Sequence, residues 1–402
     1  MSKAPLVNVS VLLPAYNCAE FLAQALQSIL DQSYTDFELI IIDDGSSDNS
    51  GKIADDFAAA DPRITVYHTE NRGLVDALNL AASKASGKFL ARMDGDDISY
   101  PHRFARQVKV LEDDPEIVAV SNSIVIIDQN GRPEPRLTVA ENRQTNLFSV
   151  PALENYLVHP FLMMRKEAFD RVGGYRHILH SEDAELYYRL EEVGKLKNLP
   201  EVLGEYRVHK GSVSSKDAFN GRLQSVSAQL AALSARRRRS DKPELELTKD
   251  FSHQMKARAK DIFSLSVWCA EEQGLDPEET EWLVAASITK FLQHEHWRPY
   301  NLSREDASKI RNFAKNANGE LLGEENLKDY LRHYLWVIKT KWIWRRFDGN
   351  FDIFLRLFSI TAVSRAVFVG AKRRFFRKLT SAKRRLGFYS NESYHIDEGL
   401  SL

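Results

Sequence analysis

Residues 87–99 read GKFLARMDGDDIS, an apolar run that ends abruptly in an arginine and then three aspartates around a glycine. Phe89–Ala91 has the character of a short buried strand. Like charges crowded this closely destabilise a fold unless something positive offsets them, so the strand must end in a solvated turn, a salt-bridge partner or a metal ion. The flanking sequence repeats the arrangement. VSVLLPAYN (9–17) and FELIIIDDGSSDNS (37–50) are apolar runs that stop in polar residues, and RITVYHT (63–69) is a further strand. Helical spacing fills the gaps at 19–32, 50–60 and 74–86. Buried strands alternating with amphipathic helices imply a mostly parallel sheet with helices on both faces. In such sheets ligands bind beyond the carboxyl ends of the strands. Three of those ends read PAYN (14–17), DDGSSD (43–48) and DGDD (94–97), so polar groups collect on one rim.

A length of 402 residues predicts two domains. A composition that is 43% hydrophobic and 28% charged excludes a disordered chain. The formal net charge of -1 excludes a protein basic throughout, although basic residues crowd the C-terminal part. Two cysteines, Cys18 and Cys269, cannot build a disulfide framework or a zinc site, which suits a reducing cytoplasm. Neither a signal peptide nor a stretch of about 18 uninterrupted apolar residues is visible, so a cytoplasmic protein is expected. The composition changes near SARRRRSDKPELE (234–246). The expected division is therefore an α/β domain at 1–235 and a mainly helical region at 236–402.

Each acidic stretch has a bland reading beside a chemical one. At 43–48, Gly45 permits positive φ and Ser47 or Asp48 caps the next helix. Tandem Asp43 and Asp44 exceed what a capped turn needs: one carboxylate can accept a nucleobase N–H while its neighbour reaches a ribose. At 94–97 an EF-hand reading fails for want of alternating acids and a distant glutamate. Two carboxylates on a short turn suit Mg²⁺ or Mn²⁺, which complete their shells with phosphate oxygens and water. Gly95 between them would let the backbone approach a ligand. At SEDAE (181–185), Ser181 is placed to cap a helix whose acidic first turn favours the macrodipole. The alternative is a general base facing the rim. His159 and His209 read equally well as structural histidines, though a cation at Asp96 would accept His209 as a further ligand.

Taken together, LLPAYN (12–17), IIDDGSSD (41–48), GLVDALNLAASKASGKFLARMDGDD (73–97), HPFLMMRKEAFDRVGGY (159–175), SEDAELYYRL (181–190) and YRVHKGSVS (206–214) resemble the family 2 glycosyltransferases over residues 7–215. The resemblance implies a GT-A fold, Rossmann-like with a mostly parallel sheet sandwiched by helices, followed here by a mainly helical region. It implies an inverting, metal-dependent enzyme that takes one sugar from a nucleotide-diphospho-sugar, commonly a UDP-sugar. Carried over by position, Pro14, Ala15 and Tyr16 line the nucleotide pocket, Asp43 binds the base and Asp44 lies beside it. Asp94 touches the ribose or donor sugar next to Gly95. Asp96 binds Mn²⁺ or Mg²⁺, and His209 closes the diphosphate side. Asp183 is the catalytic base with Glu182 as the fallback, and Arg207 counters diphosphate charge. Asp97 receives no role beyond the turn. The sugar, a hexose or N-acetylhexosamine, would go to a saccharide acceptor, free or lipid-linked, in making bacterial O-antigen, capsule or exopolysaccharide. The QxxRW motif of processive members is absent, which points to single-sugar addition.

From Lys339 to Tyr389, aromatic and aliphatic residues alternate with arginine and lysine. Such a stretch suits an anionic membrane surface, solvated helical faces, or nucleic acid. Analogy with family members that extend lipid-linked saccharides favours the membrane, and no nucleic-acid partner is expected. Two other classes compete. A sugar nucleotidyltransferase would open with a glycine-rich basic phosphate loop where LLPAYNCAEF stands (12–21). A saccharide-binding module would not need metal, base and diphosphate residues together.

Overall fold

The structure, a computed structural model, describes residues 7–138, 142, 144–209, 218–297 and 304–316. The first half alternates as its sequence predicts: β1 (Val9–Ala15), α1 (Ala19–Leu30), β2 (Phe37–Asp43), α2 (Ser50–Ala60), β3 (Ile64–His68), α3 (Leu74–Lys84) and β4 (Phe89–Arg92). These four strands lie in the order β3-β2-β1-β4, all parallel. The unbroken apolar run of β2 has a simple cause. Leu39 and Ile41 enter the core beneath α1 and α2, while Ile40 and Ile42 enter the core on the opposite face with Leu78 and Ala81 of α3. A strand buried on both faces cannot alternate apolar with polar. Each such side chain contributes roughly 1.5–3 kcal/mol.

The second half departs from the mostly parallel expectation. It comprises β5 (Ile98–Ser99), α4 (Arg103–Asp113), β6 (Ile117–Asp128), β7 (Pro133–Thr138), β8 (Met163–Arg165), α5 (Lys166–Arg171), α6 (Glu182–Leu190) and β9 (Lys195–Val208). β8 pairs antiparallel with both β4 and β6, β9 pairs parallel with β6, and β5 pairs antiparallel with β9. The sheet is thus parallel on one side and mixed on the other. Two-residue β5 was invisible to periodicity because its register comes from β9, not from its own sequence. Its consequence is that the turn at 94–97 bridges the two halves of the sheet.

Helices α7 (Ala218–Arg238), α8 (Lys249–Arg258), α9 (Ile262–Glu272), α10 (Pro277–Trp297) and α11 (Arg304–Asn316) follow. α7 packs against α6 and α10. It is enclosed on all sides, with Leu223, Val226, Leu230 and Leu233 buried beside Ser225, Ser227 and Gln229, as expected of a helix without a polar face. The boundary read at 235/236 falls inside this helix. The run Arg236–Arg239 is an ion-pair cluster: Arg237 meets Glu279 at 2.8 Å, Arg238 meets Glu192 and Glu244 at 2.8 Å, and Arg239 meets Glu191 at 3.3 Å. The chain divides into two compact units, Met1–Leu327 and Lys328–Leu402, and every described residue belongs to the first. The basic aromatic stretch from Lys339 lies outside the described residues, as do residues 210–217. Among the described residues no helix is long and apolar enough to cross a membrane.

A candidate active site at the carboxyl ends of the strands

The loops after β1 and β2 are sewn together by side chains. The N–H of Asn17 donates to Ser46 Oγ, that of Ser47 to Asn17 Oδ1, that of Cys18 to Ser50 Oγ, and that of Ala19 to Asp48 Oδ2. Asp48 of DDGSSD therefore satisfies an orphan donor at the start of α1, the neighbouring helix. The cap expected from Ser47 is not made, whereas Asp48 Oδ1 does accept the Ser50 N–H at 2.9 Å. Gly45 holds φ 73 as expected, and a Cβ there would lie 2.7 Å from the backbone nitrogen of Asn71.

Asp43 is buried and accepts from the Ser46 N–H at 3.1 Å and pairs with His68 Nδ1 at 2.8 Å. Burial raises the Asp43 pKa, but these two bonds outweigh it and hold the carboxyl below its usual range. Asp44 clamps the N–H groups of Arg72 and Gly73, each at 2.8 Å, where the chain turns into α3. Its carboxylate braces the loop. Tyr16 stands 53% exposed at the same rim, while Ala15 is buried and Pro14 is partly buried beneath it.

The turn at 94–97 is built differently. Asp94, Asp96 and Asp97 offer carboxylate oxygens that all lie within 4.8 Å of one another. Three buried arginines surround them. Arg92, at the end of β4, grips Asp94 through both guanidinium nitrogens, at 2.6 and 2.8 Å. Arg103 of α4 donates to the carbonyls of Arg92 and Leu162. Arg207 of β9 donates to the carbonyls of Asp96 and Asp128 and to Gln24 Oε1 at 2.7 Å. Arg207 is only 3% exposed. Arg207 was expected to counter diphosphate charge; its guanidinium here frames the turn from behind.

His209 Nε2 stands 3.0 Å from Asp96 Oδ2, so the structure brings these two together. Asp97 is buried; its Oδ1 accepts the Arg207 N–H at 2.8 Å, while Oδ2 has no hydrogen-bond partner among the described residues. Burial, then the charges of Asp96 and Asp94, push its carboxyl well above the usual range. Gly95 serves packing: a Cβ there would lie 2.8 Å from Cys18 Sγ. Its lack of a side chain makes room for α1.

The third acidic group opens α6. Ser181 precedes the helix but makes no side-chain cap; its Oγ donates to the Gln224 carbonyl at 3.3 Å instead. Glu182 and Asp183 therefore begin a helix whose N-terminal dipole favours their charge, yet burial dominates. Burial and then Asp183 push Glu182 up to about 7. Burial and then Glu154 push Asp183 up to about 6. His159, buried and held neutral by burial and by Arg92, bonds Tyr175 Oη at 2.8 Å and lies 4.0 Å from Glu182. Carboxyls poised near neutrality are suited to taking a proton from a hydroxyl.

Sequence reasoning assigned nothing to Arg92, Asp97 or Glu154. Arg92 was visible in the quoted stretch, since a cation inside a buried strand next to three acids needs a purpose. Asp97 and Glu154 carried no such signal, because their roles depend on β9 and on the loop before η-turn residues His159–Phe161.

Comparison with known proteins fits this site. Residues 10–173 match the pattern of glycosyl transferase family 2. The putative glycosyltransferase EpsE of Bacillus subtilis is 35% identical over 237 residues, which are 56% of this chain and 80% of EpsE. The O-antigen biosynthesis glycosyltransferase WbnJ of Escherichia coli is 33% identical, over 53% of this chain and 84% of WbnJ. The amylovoran biosynthesis glycosyltransferase AmsE of Erwinia amylovora is 31% identical, over 52% and 80%. Among solved structures, S. aureus TarS in complex with UDP-GlcNAc aligns with TM-score 0.49 and 16% identity, over 81% of this chain and 92% of that one. The assignment rests on the sequence relatives. Sharing 35% identity across 80% of one of them, and carrying the family pattern over its α/β half, the chain belongs to glycosyltransferase family 2.

Proposed function

We propose that the chain is an inverting glycosyltransferase that moves one sugar from a nucleoside-diphosphate sugar to a hydroxyl of a saccharide acceptor. The observation that carries this reading is the convergence on one rim of a three-carboxylate cluster with His209 beside it and a half-buried acid pair poised near neutrality.

The residues at 94–97 fit a divalent ion. Asp97 Oδ2 is a buried carboxylate oxygen without a partner among the described residues, and hard oxygen donors are what Mg²⁺ and Mn²⁺ select. Asp96 and His209 would hold the ion, with Asp97 adjoining. Mn²⁺ or Mg²⁺ would supply Lewis-acid compensation for the charge that develops on a departing nucleoside diphosphate. Tyr16 offers an exposed ring for a nucleobase, over Pro14 and Ala15. Asp43 uses only part of its lone-pair capacity on Ser46 and His68, which leaves room to accept a base N–H. Asp94 accepts hydroxyls of the donor beside Gly95.

Asp183 takes the acceptor hydroxyl's proton as its oxygen attacks the anomeric carbon from the face opposite the diphosphate. The carbon–phosphate oxygen bond breaks in the same displacement, so the configuration inverts. Base assistance of this kind is worth roughly 10²–10⁴-fold. Glu182 beside it is raised by burial and by the Asp183 charge, so an ionised Asp183 favours a protonated neighbour. The O-antigen and amylovoran relatives support a place in bacterial surface polysaccharide synthesis. The catalytic part would be the α/β half, residues 1–235 in the division by composition, with the helical region beside it. The stretch from Lys339 would meet an anionic membrane surface on the cytoplasmic side, where a lipid-linked acceptor is presented.

The test is to incubate the protein with UDP- and GDP-sugars, Mn²⁺ and saccharide or lipid-linked acceptors, and to measure released nucleoside diphosphate. Release that depends on acceptor and on Asp183 is expected. Pyrophosphate formed from a sugar 1-phosphate and a nucleoside triphosphate would instead identify a nucleotidyltransferase. Saccharide binding with no nucleotide turnover would identify a binding module.

A further inference from the structure

Of the three arginines buried around the 94–97 turn, Arg92 alone is bonded to a carboxylate. The bonds described for Arg103 go to the carbonyls of Arg92 and Leu162, to Gln107 and to Met93 Sδ. Those of Arg207 go to the carbonyls of Asp96, Asp128 and Gln129 and to Gln24. Arg92 instead forks onto both oxygens of Asp94, at 2.6 and 2.8 Å, with its side chain 4% exposed. Its own backbone is fixed on both sides, by the Leu162 carbonyl and by Arg103. Its Nε is buried with no partner among the described residues. A buried guanidinium that leaves a donor unmet in order to fork onto one carboxylate is oriented by that carboxylate.

The consequence concerns how the three aspartates divide their work. A carboxylate gripped this way has its charge offset and one lone pair of each oxygen engaged. The lone pairs that remain suit a neutral hydroxyl donor better than a dication. Neither Asp96 nor Asp97 is forked by a guanidinium among the described residues: Asp96 meets His209, and Asp97 keeps one oxygen without a partner there.

We propose that Arg92 is a positioning residue that keeps Asp94 out of the coordination shell of the divalent ion and reserves it for the hydroxyls of the donor. The proposal rests on the reading of 94–97 as a cation site. Without Arg92, Asp94 becomes an extra anionic ligand, so the ion binds more tightly while the donor is held less well. A residue that merely supported the fold would not tighten metal binding when removed.

Mn²⁺ binding to the full chain, followed by electron paramagnetic resonance in the presence of UDP, separates the possibilities. Asp96→Asn weakens binding at least about tenfold, while Asp94→Asn stays within about twofold of wild type. Arg92→Met tightens binding at least about fivefold, the scale of one charge about 4 Å away even when screened as in bulk water. Adding Asp94→Asn to Arg92→Met removes that gain. Arg92→Lys, which keeps the charge and loses the fork, raises the donor KM at least about fivefold with a smaller change in kcat. Weakening by Asp94→Asn equal to that by Asp96→Asn overturns the proposal, and this comparison holds even if the Arg92 variants fail to fold. Unchanged or weaker binding in a folded Arg92→Met also overturns it. If wild type binds no Mn²⁺, the cation reading falls first and takes this one with it.

Discussion

The acidic ends of β2 and β4 look alike in sequence, each an apolar strand running into aspartates around a glycine, yet they solve the same electrostatic problem in opposite ways. After β2, backbone N–H groups meet the charge: Asp43 accepts from Ser46, Asp44 from Arg72 and Gly73, and Asp48 from Ala19 and Ser50. After β4, buried arginines do so, and one Asp97 oxygen stays unmet among the described residues. N–H groups are fixed partners that consume the carboxylate. A surrounding of guanidiniums lowers the cost of the charge while leaving oxygens available. The first arrangement builds a loop, and the second keeps a site. The start of α6 belongs with the second, since burial and neighbouring charge raise Glu182 and Asp183.

The largest effect should come from that kept charge. Asp183→Asn is expected to lower kcat by about 10²–10⁴-fold while leaving donor binding in place and raising Tm. Near-wild-type turnover would remove Asp183 as the base. Next comes a matched pair across the two strand ends. Asp96→Asn should cost about 10²-fold in kcat/KM with Tm unchanged or higher, because a ligand for charge is lost but no internal N–H is orphaned. Asp44→Asn should do the reverse, destabilising by about 2 kcal/mol through its two amide bonds with a much smaller loss of turnover. Denaturant titration beside steady-state kinetics reads both. A destabilised Asp96→Asn and an unaffected Asp44→Asn would erase the distinction.

The two groups also respond to pH with opposite sign. Asp43 has a depressed pKa in the folded state, so it adds stability above the unfolded value near 3.9 that is lost as pH falls through the folded one. Asp183 is raised to about 6. Its stability is fully present below the unfolded value and lost as pH rises to about 6. The Tm gain of Asp183→Asn should therefore be absent near pH 4, grow to pH 6 and then level off. Asp43→Asn should lose most against wild type near neutrality and converge with it in acid. Thermal melts across pH 3.5–8 decide this, and parallel curves for the two variants would contradict it.

Much of this was legible in the sequence because it is local. Period and strand-end chemistry predicted β1 to β4 and their helices, and motif order placed Asp96, His209 and the Glu182–Asp183 pair on one rim. What failed was pairing information. That β8 runs antiparallel, and that β5 exists at all, follows from register with distant strands. The orientation of Arg207 was hidden for the same reason: a cation near a presumed phosphate site reads identically whether it faces outward or, as here, supports the turn from behind. The run at 236–239 suggested a boundary, but its partners Glu191, Glu192 and Glu279 lie far away in sequence.

The smallest effect probes how far the kept charge extends. Glu154 is the neighbouring charge that does most to raise Asp183 after burial, and Lys290 of α10 pairs with it at 3.3 Å. The helical region thereby touches the electrostatics of the base through one ion pair. Removing the negative charge in Glu154→Gln should move the acid limb of the kcat profile to lower pH by less than about one unit. Removing its partner in Lys290→Met should move the limb the other way, because Glu154 then acts on Asp183 uncompensated. Since Glu182 and Asp183 titrate together, the shift belongs to the pair's apparent value. Profiles from pH 4.5 to 8 for both variants give the answer. Coincident acid limbs would mean that burial alone sets the base, and that the helical region contributes to packing and not to catalysis.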